Sequence, residues 1–275
     1  MPVMQDVKCY FCSGVTSLAF RYDRPPEGET RFSFSNGSYA RDVFVCRQCG
    51  HFMSIHEMDD TSLYGGEYVN STYGEDQICE KFAKIISLDD AKSDNAGRCD
   101  RLIEFADRQL RAKERRCVQP TILDVGSGLC VFLHRMKSRG WMGTALDPDP
   151  RAVSHAREVV GVDSVCGDFF ECGEIGRFDV VAFNKVLEHV KDPIAMLSKS
   201  KDYVSGSGFV YVELPDGEIA ATDGASREEF FVEHHHVFSM ASIALLAARA
   251  GFRVHTIERL REPSTKYTLR AFLLP

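Results

Sequence analysis

From Thr121 onward, short apolar runs alternate with segments in which apolar residues recur every three or four positions. This is the pattern of strands alternating with helices. TILDV (121–125) reads as a short buried strand, CVFLHRMKSRG as a helix closed by Gly140, and WMGTALD as a second strand ending in an acid. DPRAVSHAREVVG carries helix punctuation at both ends, with Asp149 as N-cap, Pro150 at the first helical position and Gly161 as the stop. VDSVCGD, RFDVVAFN and GFVYVELP are three further strands, with a helix starting near Asp192-Pro193. SMASIALLAARAG predicts an amphipathic helix between Ser239 and Gly251, and FRVHTIERL and KYTLRAFLLP a closing antiparallel pair. Strands and helices of these lengths imply right-handed crossovers and a sheet covered on both faces. The expected fold class is therefore α/β, a doubly wound seven-stranded sheet.

Upstream the pattern changes. A helical stretch runs from Ile78 through IEFADRQLRAKERR, with a stripe at Leu102, Ile103, Phe105, Ala106 and Leu110, and Pro120 closes it. Before it stand two C-x2-C pairs, Cys9/Cys12 and Cys46/Cys49, each followed closely by a glycine that permits a tight knuckle. Four thiolates at the corners of a tetrahedron suit a structural zinc, and the segment between the pairs carries the turn signals of a strand hairpin. The alternative is a disulfide or free thiols. The chain divides into a small zinc-ribbon module (1–60), an aromatic and helical linker covering the active site (61–117) and an α/β domain (118–275).

Composition narrows the function. The 275 residues are 44% hydrophobic and 27% charged, with a formal net charge of −7. Such a balance suits a globular protein and speaks against tight binding to a phosphate backbone, so nucleic acid is not an expected partner. No apolar run approaches the roughly 20 residues that cross a bilayer, and no secretory signal opens the sequence, so a cytoplasmic location is expected.

In doubly wound sheets the ligand lies beyond the carboxyl ends of the strands, beside the first one. That places it on ILDVGSGLC, where Gly126 and Gly128 let a ligand approach the backbone. Asp147 ends the second strand about twenty residues later, where an acid reaches a ribose diol. Dinucleotides and S-adenosylmethionine both fit that arrangement. The third glycine of a pyrophosphate turn is missing, and Asp124 repels a polyanion while suiting an ammonium, which favours the zwitterionic sulfonium ligand.

ILDVGSGLC, ALDPDP, VCGDFFE and FDVVAFNKVLEHVKDP stand in the order and spacing of the class I S-adenosylmethionine-dependent methyltransferases, which residues 118–275 resemble. The resemblance implies a Rossmann-like fold. It also implies that Gly126 and Gly128 underlie the aminocarboxypropyl group, that Asp147 holds the ribose, and that Asp168 and Phe169 meet the adenine. Asp124 and Asn184 face the same crevice. Cys130 stands where the family has its third glycine. The C-x2-C pairs, a tyrosine-rich link and an EH-containing segment before an FS-capped helix are similar to sugar-modifying methyltransferases, including C-methyltransferases of nucleotide-linked sugars. That similarity implies reacting-centre roles for His189, Glu233 and His234. Phe231 stands where the C-methylating members carry tyrosine.

Methyl transfer needs a nucleophile held in line with the S–CH3 bond and a group to take its proton, for which a histidine is suited. His189 reads as base or substrate contact, or else as a histidine serving the next helix, with Glu188 placed to orient it. An extended Glu233-His234-His235-His236 would put His234 and His236 on one face and Glu233 and His235 on the other. His236 is a candidate substrate contact. Tyr64, Tyr68 and Tyr73 are candidate lid residues over the substrate, with Gly65-Gly66 as hinge. The expected activity is methyl transfer to a small polar acceptor, a sugar, nucleotide-linked sugar or sugar-containing metabolite. The alternatives are an RNA-directed methyltransferase or RNA-binding protein using the zinc ribbon, and an O-methyltransferase whose second, catalytic metal sits on Glu188, His189 and the histidine cluster.

Overall fold

The computed structural model describes residues 7–30, 39–58, 77–111 and 119–275. The larger of its two sheets has seven strands: β4 (Thr121–Val125), β5 (Met142–Asp147), β6 (Asp163–Cys166), β7 (Phe178–Asn184), β8 (Val204–Pro215), β10 (Arg253–Arg261) and β11 (Tyr267–Leu274). Their spatial order is β10-β11-β8-β7-β4-β5-β6. The strands from β8 to β6 are mutually parallel, and β11 runs antiparallel to both β8 and β10. The expected α/β doubly wound sheet is thus the observed one.

Alternation along the central strands explains why both faces are covered. Leu123, Val125, Val181, Phe183, Val210 and Val212 belong to one apolar cluster, whereas Ile122, Val180, Ala182, Phe209 and Tyr211 belong to the other. The central stretch of each strand therefore buries side chains on both faces, which is why it reads as a continuous apolar run. Burying one such side chain contributes roughly 1.5–3 kcal/mol.

Seven helices flank the sheets among the described residues: α1 (Ile78–Ile86), α2 (Asp94–Arg111), α3 (Val131–Ser138), α4 (Pro150–His155), α5 (Pro193–Lys199), α6 (Gly217–Asp223) and α7 (Met240–Ala250). The stretch read as one helix from Ile78 is two, α1 and α2. The SLDDAKSD segment breaks it, because its serines bond the local backbone: Ser87 Oγ donates to Lys84 O at 2.9 Å, and Ser93 Oγ accepts from Ala96 N at 3.2 Å.

The smaller sheet is antiparallel, with β1 (Thr16–Tyr22), β2 (Arg41–Cys46), β3 (Phe52–Ile55) and, at its edge, β9 (His236–Val237). The N-terminal region does not close on itself. Its last strand is supplied by the segment that carries Glu233 and His234, and Phe52 and Val237 share an apolar cluster with Tyr22, Val43 and Phe230.

Candidate active site

Asp124, at the end of β4, is 2% exposed, and its Oδ1 accepts a hydrogen bond from Asn184 Nδ2, at the end of β7, at 2.7 Å. Burial pushes the Asp124 carboxyl up to about 7, against the opposing pull of Asn184 and Arg98. The chain then turns through Gly126 at φ +70°, where an added Cβ would lie 2.8 Å from Val186 Cγ2. Gly128 N donates to Asp147 Oδ2 at 2.8 Å, and Asp149 N to Asp147 Oδ1 at 2.9 Å. These two amides orient a carboxylate at the tip of β5, where burial raises its pKa and the amides oppose the rise. Cys130, which replaces the expected third glycine, takes φ 58°, so the left-handed bend that opens α3 is kept by a residue that adopts it at a cost.

At the end of β6, Asp168 is exposed and its Oδ1 accepts from Phe170 N at 2.6 Å. Phe169, which the resemblance places on the adenine, is 3% exposed, with its ring packed 5.6 Å from Phe183 and 5.3 Å from Tyr203. Its bulk belongs to the core, and the neighbouring Phe170 is the exposed ring. In the turn after β6 it is Phe169 that packs inward, on Phe183 and Tyr203.

The histidine pair lies beyond the same strand ends. His189 sits in a single 3-10 turn (Leu187–His189) after β7, and its ring centroid is 4.8 Å from that of His234. His189 Nδ1 meets Glu233 O at 2.9 Å and His234 Nδ1 meets Glu229 O at 2.8 Å. A carbonyl only accepts, so both Nδ1 atoms carry hydrogen, and each neutral ring keeps its lone pair on Nε2. Burial pushes His189 down to about 4 and His234 well below the ordinary histidine value. Glu188 is fully buried, with neither carboxyl oxygen hydrogen-bonded, and burial pushes it up to about 8. One ligand atom from each of Glu188, His189 and His234 lies within 4.8 Å of the others. Lys185, at φ 58°, stands beside this group, with Nζ donating to Thr268 Oγ1 at 3.0 Å.

The run from Phe231 to His234 is a turn and not extended as its sequence suggested, and only His236 enters a strand. His234 N donates to Phe231 O at 3.0 Å, a turn that points His234 toward His189. Glu233 is partly buried beside it, and burial pushes its carboxyl up to about 7. His236, a candidate substrate contact, instead lies 5% exposed in the small sheet: Nδ1 meets His51 Nε2 at 3.0 Å and Nε2 meets Lys191 O at 3.4 Å. Pairing of β9 with β3 turns that ring toward the cysteine module. His235 and His236 line a groove of about 370 Å³ with Tyr10, Met53, His56 and Lys191. Tyr64, Tyr68 and Tyr73 lie outside the described residues.

Cys9, Cys12, Cys46 and Cys49 come together, with Sγ separations of 3.5 Å (Cys9–Cys49), 3.4 Å (Cys12–Cys46) and 3.6 Å (Cys12–Cys49). These spacings are far too long for disulfides and close to the roughly 3.8 Å edge of a tetrahedron with 2.3 Å zinc–sulfur bonds. The donor set fits zinc.

Two residues that sequence reasoning missed are Glu29 and Arg41, a buried ion pair at 3.2 Å that touches the backbone of Phe230 and Val232. No local pattern marks them, because their partners lie some two hundred positions away in the chain.

A seven-stranded sheet with its last strand antiparallel, a glycine bend after the first strand and acids at the tips of the first two define a Rossmann-like nucleoside-cofactor domain of the methyltransferase type. A family model described as "Methyltransferase domain" matches residues 92–257, and the chain belongs to that family. Family and fold together mark a methyltransferase. Among solved structures it is similar to the magnesium protoporphyrin IX methyltransferase ChlM from Synechocystis PCC 6803 with bound S-adenosylhomocysteine. The identity is 16%, with 79% of this chain and all of the other covered at a TM-score of 0.55. It is also similar to the glycopeptide N-methyltransferase MtfA in complex with S-adenosylmethionine, at 12% identity, covering 62% of this chain and 93% of the other, with a TM-score of 0.47. No curated protein matches the chain in sequence. Among the described residues no helix is long and apolar enough to cross a membrane.

Proposed function

We propose that the chain transfers the methyl group of S-adenosylmethionine to a small polar acceptor, a sugar or nucleotide-linked sugar, with His189 or His234 taking the proton. The observation that carries this reading is the facing pair of imidazoles. Both Nδ1–H groups are tied to backbone carbonyls, so both Nε2 lone pairs are free of tautomer ambiguity at the end of β7. Burial keeps the rings neutral at pH 7, so Nε2 is unprotonated in the free protein. Asp124, Gly126, Gly128, Asp147 and Asn184 hold the cofactor, with Asp168 near its adenine. Glu233 borders the acceptor, and Tyr64, Tyr68 and Tyr73 are further candidate substrate contacts. Cys9, Cys12, Cys46 and Cys49 hold a structural zinc, and the protein acts in the cytoplasm. The four-cysteine module and its union with the Glu233-His234 segment support the sugar class, through the resemblance stated above.

The test is a panel of nucleotide-linked sugars, free sugars and RNA supplied with methyl-labelled cofactor. Label in a sugar is the expected result. Label only in RNA, or in nothing while the cofactor binds, would overturn the acceptor class.

One observation favours a second reading. The Glu188 carboxyl, buried and without a hydrogen bond, lies with His189 and His234 in an arrangement that can ligate a divalent cation. A metal-dependent O-methyltransferase would lose turnover to a chelator that leaves the cysteine-bound zinc in place, and regain it with added magnesium or manganese.

A further inference from the structure

The N-terminal module reaches the reacting centre through charge as well as through its sheet. Arg41 and Glu29 are 2% and 7% exposed, and their side chains pair at 3.2 Å between Arg41 Nη2 and Glu29 Oε1. Arg41 Nη1 donates to Phe230 O at 2.7 Å, and Val232 N donates to Glu29 Oε1 at 2.7 Å. Tyr39 closes the group: its hydroxyl donates to Glu29 Oε2 at 2.7 Å and accepts from Arg41 Nε at 3.1 Å. The guanidinium also lies over the Tyr22 ring, 4.3 Å from its centroid.

Both charged groups thus bond to the backbone at Phe230 and Val232, and the flanking carbonyls are the ones that hold the histidines. Glu229 O takes the Nδ1–H of His234, and Glu233 O takes that of His189. A shift of residues 230–232 therefore moves both imidazoles. The other side of the segment is fixed separately, by Tyr267 N on Glu229 Oε1 at 2.7 Å.

Adhesion alone does not call for charge at this place. The module already packs Tyr22, Val43 and Phe52 against Phe230 and Val237. A buried ion pair carries a desolvation cost and is often replaced by apolar residues of similar size without loss of stability. What apolar packing lacks is direction, since a hydrogen bond to a chosen carbonyl or amide sets backbone register while dispersion contacts allow sliding.

We propose that Glu29 and Arg41 are positioning residues for the reaction: they set the backbone of residues 230–232 and through it the separation and tautomers of His189 and His234. The proposal rests on the reading of those histidines as the reacting pair. Substrate and cofactor touch neither Glu29 nor Arg41 in this scheme.

The test uses the full-length, zinc-loaded protein carrying both Glu29→Met and Arg41→Met, which removes the charges together and leaves no unpaired ion. Thermal midpoint, zinc content and S-adenosylhomocysteine affinity are expected to stay near the parent values. The turnover number should fall about ten- to a hundredfold, as misplacement on the scale of an ångström produces. Nitrogen NMR of the imidazoles should show the parent's Nδ1–H tautomers giving way to a mixture. Parent-like turnover together with parent-like ring spectra would overturn the proposal. If the double variant does not fold, Glu29→Gln, which keeps the shape and an amide oxygen for Val232 N, is read by the same two measurements. The spectra separate this proposal from the reading beneath it. Rings that respond to the substitutions, in a protein whose His189→Ala and His234→Ala variants turn over normally, would sustain the clamp and sink the assignment of the base.

Discussion

Asn184 and Asp124 meet across the tips of adjacent parallel strands, the amide Nδ2 donating to the carboxylate Oδ1 at 2.7 Å. The contact leaves the second carboxylate oxygen for a cationic group in the crevice and holds it on one side. Because Asp124 is almost wholly desolvated, its charge is weakly stabilised until such a cation arrives.

Cofactor affinity should therefore depend on pH. Burial raises the Asp124 carboxyl from about 3.9 in an unfolded chain to about 7 in the free protein. A raised acid contributes stability that is full below about 3.9 and lost as pH rises through about 7, so this term favours the folded state at low pH. The ammonium of the cofactor needs the carboxylate, so protons compete with binding. Calorimetry with S-adenosylhomocysteine should show affinity falling as pH drops below 7, by up to roughly tenfold per unit. Asp124→Asn should bind more weakly at pH 8 and without that slope; an unchanged slope would remove Asp124 from the ammonium contact.

Gly126→Ala combines two penalties, since the residue sits at φ +70° and the new methyl would lie 2.8 Å from Val186 Cγ2. A loss of about 1–3 kcal/mol in unfolding free energy is expected, with weakened cofactor binding. Adding Val186→Ala should relieve the clash and not the backbone strain, so denaturant melts of the double variant should show partial recovery. Full recovery would mean the left-handed conformation is not required.

His189→Ala and His234→Ala address the proton transfer. Each should lower turnover by about a hundred- to ten-thousandfold while cofactor affinity stays at the parent value, because the rings are anchored on Glu233 O and Glu229 O whereas the strand-tip acids are held by Asn184 and Gly128 N. Turnover intact in both variants would leave only a structural role for the pair.

Cys46→Ser should cost more than a local knuckle. Cys46 ends β2, and Cys49 O accepts a buried hydrogen bond from Ser239 Oγ, the N-cap of α7. Loss of zinc should thus lower the thermal midpoint and loosen β9. Hydrogen exchange would then accelerate at Phe52, Met53, His236 and Val237. Slow exchange there in a zinc-free variant would show that the sheet stands without the metal.

How much of this was legible in advance follows from the range of the forces involved. The strands of the large sheet and the helices α3, α4, α5 and α7 were readable because buried strands and amphipathic helices write their burial into periods of two and 3.6, whereas the short α6 and the edge strand β9 were not. Caps such as Asp149, Ser239 and Gly251 act on their own neighbours. The cysteine pairs were readable because ligand spacing in a knuckle is local, and Asp124, Gly126, Gly128 and Asp147 because a strand end, a bend and the next strand end are consecutive along the chain.

Tertiary structure alone decided where the histidines point. His234 faces His189 and His236 faces His51 because a turn at Phe231–His234 replaces the extended geometry, and that turn is held by Arg41, Glu29 and Tyr267 from three distant stretches. The burial of Phe169 in place of Phe170, and the fourth strand that the small sheet borrows from β9, were settled in the same way. Local preference sets what an isolated segment can do. Which of its options is taken depends on hydrogen bonds and apolar contacts made with residues that the chain brings back only once it has folded.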